Sequence, residues 1–222
     1  MRNQIIGTNI GTNDWNDWLK TPLGISLLEW EASHLDSAVA NCFGYHALQL
    51  GLPELDGLRS NRMPHRWTMP HDLVCDFRAL PFPEDCIDLV VLPHILEFNP
   101  DPQQILREIE RVLIHEGRVI IFGLSPFSLH YPQLPDVRKF IPYWRLKNDL
   151  NQLGLEVESI HWQSLLGIAY CMVAVKHIRG MHLIKSPWKS IAMPSPLEPS
   201  AQTTKTTKTT KTTKITQKKM NP

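Results

Sequence analysis

A chain of 222 residues with 42% apolar side chains holds enough material for one domain of about 150–200 residues and tails. The net charge of +1 hides an asymmetry: 22 acidic against 17 basic residues put the first 200 at −5, while the last 22 carry six lysines and no acid. The acidic body has no field that favours nucleic acid, and no run of about 18 apolar residues is present to span a membrane.

The N-terminus, MRNQIIGTNIGTNDW, lacks the apolar core of a signal peptide. Cysteines at 42, 75, 86 and 171 form no CxxC pair and sit in apolar sequence, so they read as free, buried thiols in a reducing compartment. Together these features imply a cytoplasmic protein.

In chain order, residues 1–20 are largely polar with Trp15 and Trp18, and read as a loosely packed N-terminal arm. Thr21-Pro22 has the chemistry of an N-cap followed by the first helical residue. The spacing of Leu23, Leu27, Trp30, Leu35, Ala38, Val39 and Cys42 then predicts a helix. HALQLG (46–51) follows as a buried strand ending in glycine. Prolines 53, 64 and 70 and Gly57 break up the next stretch. It leaves room for a short helix near 54–60 and a short strand near 65–69. HDLVCD (71–76) reads as a clearer strand.

The segment 88–122 is the best defined. DLVVL (88–92) is a strand. Asp101-Pro102 opens a helix with Ile105, Leu106, Ile109, Val112 and Leu113 on one face and Gly117 as its stop. RVIIF (118–122) is the next strand. Strand, helix and strand within about 35 residues make a right-handed parallel crossover, so the sheet is covered on both faces. A helix over Trp144–Leu153 ends at Gly154, and the strands 155–162 and 170–178 are close enough to pair as an antiparallel hairpin. The domain therefore runs over 21–180. A Pro- and Ser-rich linker (181–202) precedes a Thr/Lys tail (203–222) built on TTKTTKTTKTTK, which has no apolar face and is expected to be disordered.

In an open α/β sheet, ligands bind beyond the carboxyl ends of the strands. Those ends are Gly51, Asp76, Leu92-Pro93-His94 and Gly123-Leu124-Ser125.

The run from DFRALPF (76–82) through DLVVLPH (88–94) to EGRVIIFG (116–123) resembles the second half of a class I S-adenosylmethionine-dependent methyltransferase, more narrowly the type 11 methyltransferase domain. The resemblance extends over roughly 40–178. It implies a Rossmann-like methyltransferase sheet, mostly parallel, with an antiparallel C-terminal hairpin and helices on both faces. It implies S-adenosylmethionine as cofactor.

The resemblance also implies residue roles. Gly51 matches the first glycine of the cofactor loop; read without the family, it is an ordinary turn glycine. Asp76 matches the acid that accepts from the adenine amine, with Phe77 beside it; alternatively it caps the turn before Phe77. Leu92 and Pro93 give backbone and wall contacts. His94, just past the fourth strand of the family's sheet, is the catalytic candidate. A neutral imidazole there can deprotonate an acceptor, line the crevice, or serve only to bond backbone. The sequence departs from the family's pattern at Pro53 and Leu55, which replace the second and third glycines, and over 61–69, which lacks the ribose-gripping acid.

Methyl transfer needs alignment and a dry pocket more than a cluster of reactive side chains. The expected function is in-line methyl transfer to an unidentified small-molecule acceptor. A catalytically inactive methyltransferase-like binding or regulatory module is the alternative. His65 and His71 are six apart with no neighbouring carboxylate except Asp72, and no metal centre is expected. The aromatics Phe127, Tyr131, Tyr143 and Trp144 either roof an acceptor pocket or pack a loop. Specific nucleic-acid binding is not expected of the basic tail, and the sequence leaves the oligomeric state open.

Overall fold

A computed structural model describes residues 12–72, 75–125, 140–163, 167 and 169–177. The linker and tail read at 181–222 lie outside these residues, as do Phe127 and Tyr131.

Helix α1 spans Thr12–Leu19 and α2 spans Pro22–Ala40. Strand β1 is His46–Leu50, β2 is His65–Met69 and β3 is Ile87–Pro93. Short α3 (Ile95–Phe98) and α4 (Pro102–Val112) lead into β4 (Leu113–Leu124). Helix α5 (Tyr143–Gln152) and the hairpin β5 (Leu155–Trp162) and β6 (Ala169–Lys176) complete the sheet. Its order is β2-β1-β3-β4-β6-β5. The first four of these strands run parallel, and β6 is antiparallel to both β4 and β5.

The period of two along the central strands divides the core between the two faces. Val90 and Leu92 of β3, with Val119 and Ile121 of β4, pack with Ile105, Ile109, Leu146 and Leu150 of α4 and α5. Leu89 and Val91, with Ile120 and Phe122, pack with Trp15, Leu27, Leu35 and Val39 of α1 and α2. Strands buried on both faces carry no polar alternation, which is why DLVVL and RVIIF read as unbroken apolar runs.

The expected caps form. Thr21 accepts a hydrogen bond from the Gly24 amide at 3.3 Å with Pro22 at the first helical position. Asp101 accepts from the Gln104 amide at 3.1 Å. Gly154 takes φ +83° just past α5, a conformation glycine adopts without steric cost.

Four readings are corrected. Residues 12–19 are not a loose arm: Trp15, Trp18 and Leu19 stand at helical spacing and are buried against α2 and the sheet. The helix from Asp101 stops at Val112, not at Gly117. The Asp85 and Cys86 amides donate to the Arg111 and Val112 carbonyls at 3.0 and 2.9 Å, so the chain before β3 caps the helix. Leu113 already pairs with Ile87.

The stretch 71–76 is not a strand in its described residues. The Asp72 amide donates to the Thr68 carbonyl at 2.7 Å and the Asp72 carboxylate accepts from the Thr68 amide at 2.7 Å, folding the chain back over the end of β2. Asp76 forms only a lone bridge with Ala79, which leaves β2 at the sheet edge. The helix read near 54–60 is one 3-10 turn, Pro53–Leu55, flanked by Leu52 and Asp56 at φ +43° and +38°.

Candidate functional site at the carboxyl ends of the strands

Strand β1 delivers Gly51 at φ +77°, with its amide bonded to the Met69 carbonyl at 2.9 Å. A Cβ here would stand 2.2 Å from Ile95 Cδ1, so any larger residue would also push the buried Ile95 side chain of α3 aside. Gln49 is buried and closes the following loop. Its Nε2 donates to the Gly51 and Leu52 carbonyls at 3.1 and 2.9 Å, and its Oε1 accepts from the Gly57 amide at 2.8 Å. A side-chain amide thus satisfies backbone that a glycine-rich loop leaves free for a ligand.

Asp76 lies in the loop after β2 and is part-exposed. Its carboxylate accepts from Arg78 Nε at 3.0 and 3.2 Å, from Nη2 at 2.7 Å and from the Arg78 amide at 2.9 Å. The Arg78 guanidinium, above all through these hydrogen bonds, holds the carboxyl below its usual range. Phe77 is buried in the core with Leu48, Leu80 and Leu92. Leu92 and Pro93 close β3 and are buried. Asp72 is an exposed acid past the end of β2, with its carboxylate accepting from the Thr68 amide at 2.7 Å and lying 3.0 Å from His71 Nδ1.

His94 follows β3 in the left-handed region, φ +55°, with its amide donating to the Phe122 carbonyl at 3.1 Å. The general base expected here is only 2% exposed. Nε2 lies 2.5 Å from Glu31 Oε1, reaching across 63 residues of sequence to α2. Trp15 covers the ring edge-on, with centroids 5.3 Å apart, and Phe98 packs on Trp15 at 5.0 Å.

Glu97, one turn on, accepts from the Leu124 amide at 2.7 Å through Oε1. Among the described residues, four buried side-chain atoms lack a partner, and three of them lie here: His94 Nδ1, Glu31 Oε2 and Glu97 Oε2, the fourth being Gln163 Oε1. Burial opposes a charge on His94, but the charge and hydrogen bond of Glu31, helped by the charge of Glu97, outweigh it and raise the imidazole above its ordinary value. Burial pushes the Glu97 carboxyl up.

Leaving buried polar atoms unpaired costs on the order of 1–3 kcal/mol each, so each of these three atoms calls for a partner that the described residues do not supply. The strand-end residues fit the chemistry of an S-adenosylmethionine-type ligand there. They combine partnerless polar atoms beside β3, a glycine at the end of β1, and the carboxylates of Asp72 and Asp76.

Glu31, Glu97 and Trp15 were not identified from sequence. The signal for Glu31 was an acid in the apolar stripe of α2, between Leu27 and Leu35 at steps of four. Among the described residues, no three His, Cys, Asp or Glu side chains are grouped to hold a metal ion. Tyr143 contacts Trp144 and Trp162 edge-on at 5.3 and 5.1 Å, with both tryptophans exposed, at the end of the sheet where β4 terminates.

With this geometry, the class is that of the class I S-adenosylmethionine-dependent methyltransferase fold. Residues 54–121 match the family model for the methyltransferase domain. The chain is 29% identical over 153 residues to the uncharacterized protein YafS of Escherichia coli strain K12, covering 66% of this chain and 59% of that protein. It is 36% identical over 86 residues to a malonyl-acyl-carrier-protein O-methyltransferase of Halorhodospira halophila, covering 38% of this chain and 28% of that enzyme. The chain therefore spans less than two thirds of either curated relative.

Among solved structures, it superposes with TM-score 0.60 and 16% identity on a methyltransferase solved with the Haloferax volcanii Trm112 methyltransferase activator, covering 76% of this chain and 98% of that one. A SAM-dependent methyltransferase from Aquifex aeolicus gives TM-score 0.54 at 14% identity, covering 72% and 96%. These matches bear out the resemblance read from sequence, its fold, and S-adenosylmethionine as the cofactor of the class. Among the described residues, no helix is long and apolar enough to cross a membrane.

Proposed function

We propose that this chain is an S-adenosylmethionine-dependent methyltransferase that acts in line on the O–H or N–H of a small-molecule acceptor. The observation that carries this reading is the cluster of partnerless buried polar atoms at the carboxyl ends of β3 and β4, within a methyltransferase fold. When bound, the cofactor supplies an electrophilic methyl carbon on a sulfonium.

The chain's own residues provide the rest. Gly51 is our candidate for the methionine part, once the Ile95 side chain that fills the space over it shifts. Asp76 accepts from the adenine amine once Arg78 turns aside, with Phe77 behind it. Leu92 and Pro93 form the wall. Asp72 is our candidate for the ribose hydroxyls, and His94 takes the acceptor's proton. Helix α1 excludes water from the reacting groups. Four unpaired cysteines support a cytoplasmic setting.

Calorimetry with S-adenosylmethionine and S-adenosylhomocysteine is the test. No heat and no thermal shift at millimolar ligand defeat the enzyme reading in favour of an inactive module. Given binding, Asp76→Ala is expected to weaken it about tenfold, the worth of one buried hydrogen bond. Unchanged affinity removes the adenine from this carboxylate.

A further inference from the structure

The histidine past β3 is held by a carboxylate from a distant helix. A general base is recognised by geometry: the base faces its target with one atom while a third group orients it through another. Glu31 Oε1 meets His94 at Nε2, and Nδ1 has no partner. Both side chains are buried, so the contact is unshared with water. The second Glu31 oxygen is also unpartnered.

We infer that Glu31 is a positioning residue: it accepts the Nε2–H of His94, and so makes Nδ1 the atom that takes the acceptor's proton. This assignment rests on the methyltransferase reading above.

The proton balance is simple. The acceptor's O–H or N–H bond breaks, its proton bonds to Nδ1, and the electron pair stays on the acceptor atom. The imidazole becomes an imidazolium whose positive charge Glu31 stabilises across 2.5 Å. Among the described residues, the titratable groups that act on the pair or on Glu97 are these. Glu97 of α3 adds negative charge to the ring, Tyr170 of β6 feels Glu97, and Cys171 of β6 feels Glu31. Helix α1 contributes Trp15, which packs edge-on to the buried ring. Nδ1 is buried, so an acceptor reaches it only after a local opening, and the tautomer is measurable without any ligand.

The test is nitrogen-15 spectroscopy of the histidine rings in the full chain as pH is varied, with His94→Gln to assign the signal among the ten histidines. The expected result is a neutral form protonated at Nε2 and a titration midpoint above that of an ordinary histidine. Glu31→Gln lowers the midpoint and Glu31→Asp restores it in part. A neutral form protonated at Nδ1, or a midpoint unmoved by Glu31→Gln, overturns the assignment. If Glu31→Gln does not fold, the tautomer of the parent chain decides alone.

Calorimetry with S-adenosylhomocysteine on the parent separates the two levels. Binding with the proton on Nδ1 defeats the role of Glu31 and leaves the methyltransferase reading standing. Absence of binding defeats the methyltransferase reading and with it the catalytic use of Nδ1, whatever the tautomer.

Discussion

Two buried ionic groups sit at opposite ends of the sheet, and they are served differently. At the amino end of β3, Lys176 is buried and donates to Asp85 Oδ1 at 2.8 Å and to the Glu110 and Leu113 carbonyls at 2.6 and 2.7 Å. Each of the three ammonium protons has an acceptor. At the carboxyl end, Glu31, His94 and Glu97 are buried with three atoms unpaired. A buried charge with every hydrogen bond made ties strands and helices together. One with hydrogen bonds unmade is poised to meet something else.

Substitutions can break this contrast. The largest effect is expected at the carboxyl end. Glu31→Ala removes the partner of a buried imidazole and is expected to cost about 3–5 kcal/mol in denaturant unfolding. A loss below about 1 kcal/mol would mean that the two side chains are not coupled in solution. Lys176→Met at the other end leaves two carbonyls without their donor, while Asp85 can turn to solvent. The expected cost is about 1–3 kcal/mol by the same measurement. If it stabilises the chain, the ammonium is not satisfied as described.

The two ends also differ in the sign of their pH dependence. His94 and Glu97 are both raised in the folded state. Their contribution is complete below the unfolded values and is lost as pH rises through the folded ones, from the carboxylate range upward for Glu97 and above about 6.5 for His94. Asp85 is lowered, chiefly by its hydrogen bond with Lys176. Its contribution is present above the ordinary carboxylate value and is lost as pH falls through the folded one. Thermal unfolding against pH should therefore show Glu97→Gln flattening the alkaline side and Lys176→Met flattening the acid side. Identical slopes in parent and variants would erase the distinction.

The smallest effect sets the baseline. Lys20 and Asp17 pair at 2.8 Å with both side chains more than 70% exposed. Lys20→Ala is expected to change stability by less than about 0.5 kcal/mol, and a larger change would mean that ion pairs here are not ranked by burial.

Much of this arrangement was legible in the residue order. The apolar runs at 88–92 and 118–122, the cap at Asp101-Pro102 and the pairing of β5 with β6 are set by short-range chemistry, and they form. The same local rules misjudged 71–76, where one Asp72 carboxylate on the Thr68 amide folds the chain back. They also misjudged the end of α4, whose last carbonyls are taken by amides of residues 85 and 86. In both places a polar group competes with the local propensity.

The sequence alone determined the parallel sheet with its antiparallel closing hairpin, because side-chain periodicity and turn residues act over a few positions. It also placed His94 and Gly51 at strand ends. The pairing of Glu31 with His94, the contact of Trp15 with the His94 ring, and the clasp of Gln49 on the loop after β1 were decided by tertiary structure. Glu31 and Trp15 reach His94 from elements more than 60 residues earlier in the chain, and only the packing of α1 and α2 on the sheet brings their polar and aromatic atoms within bonding reach.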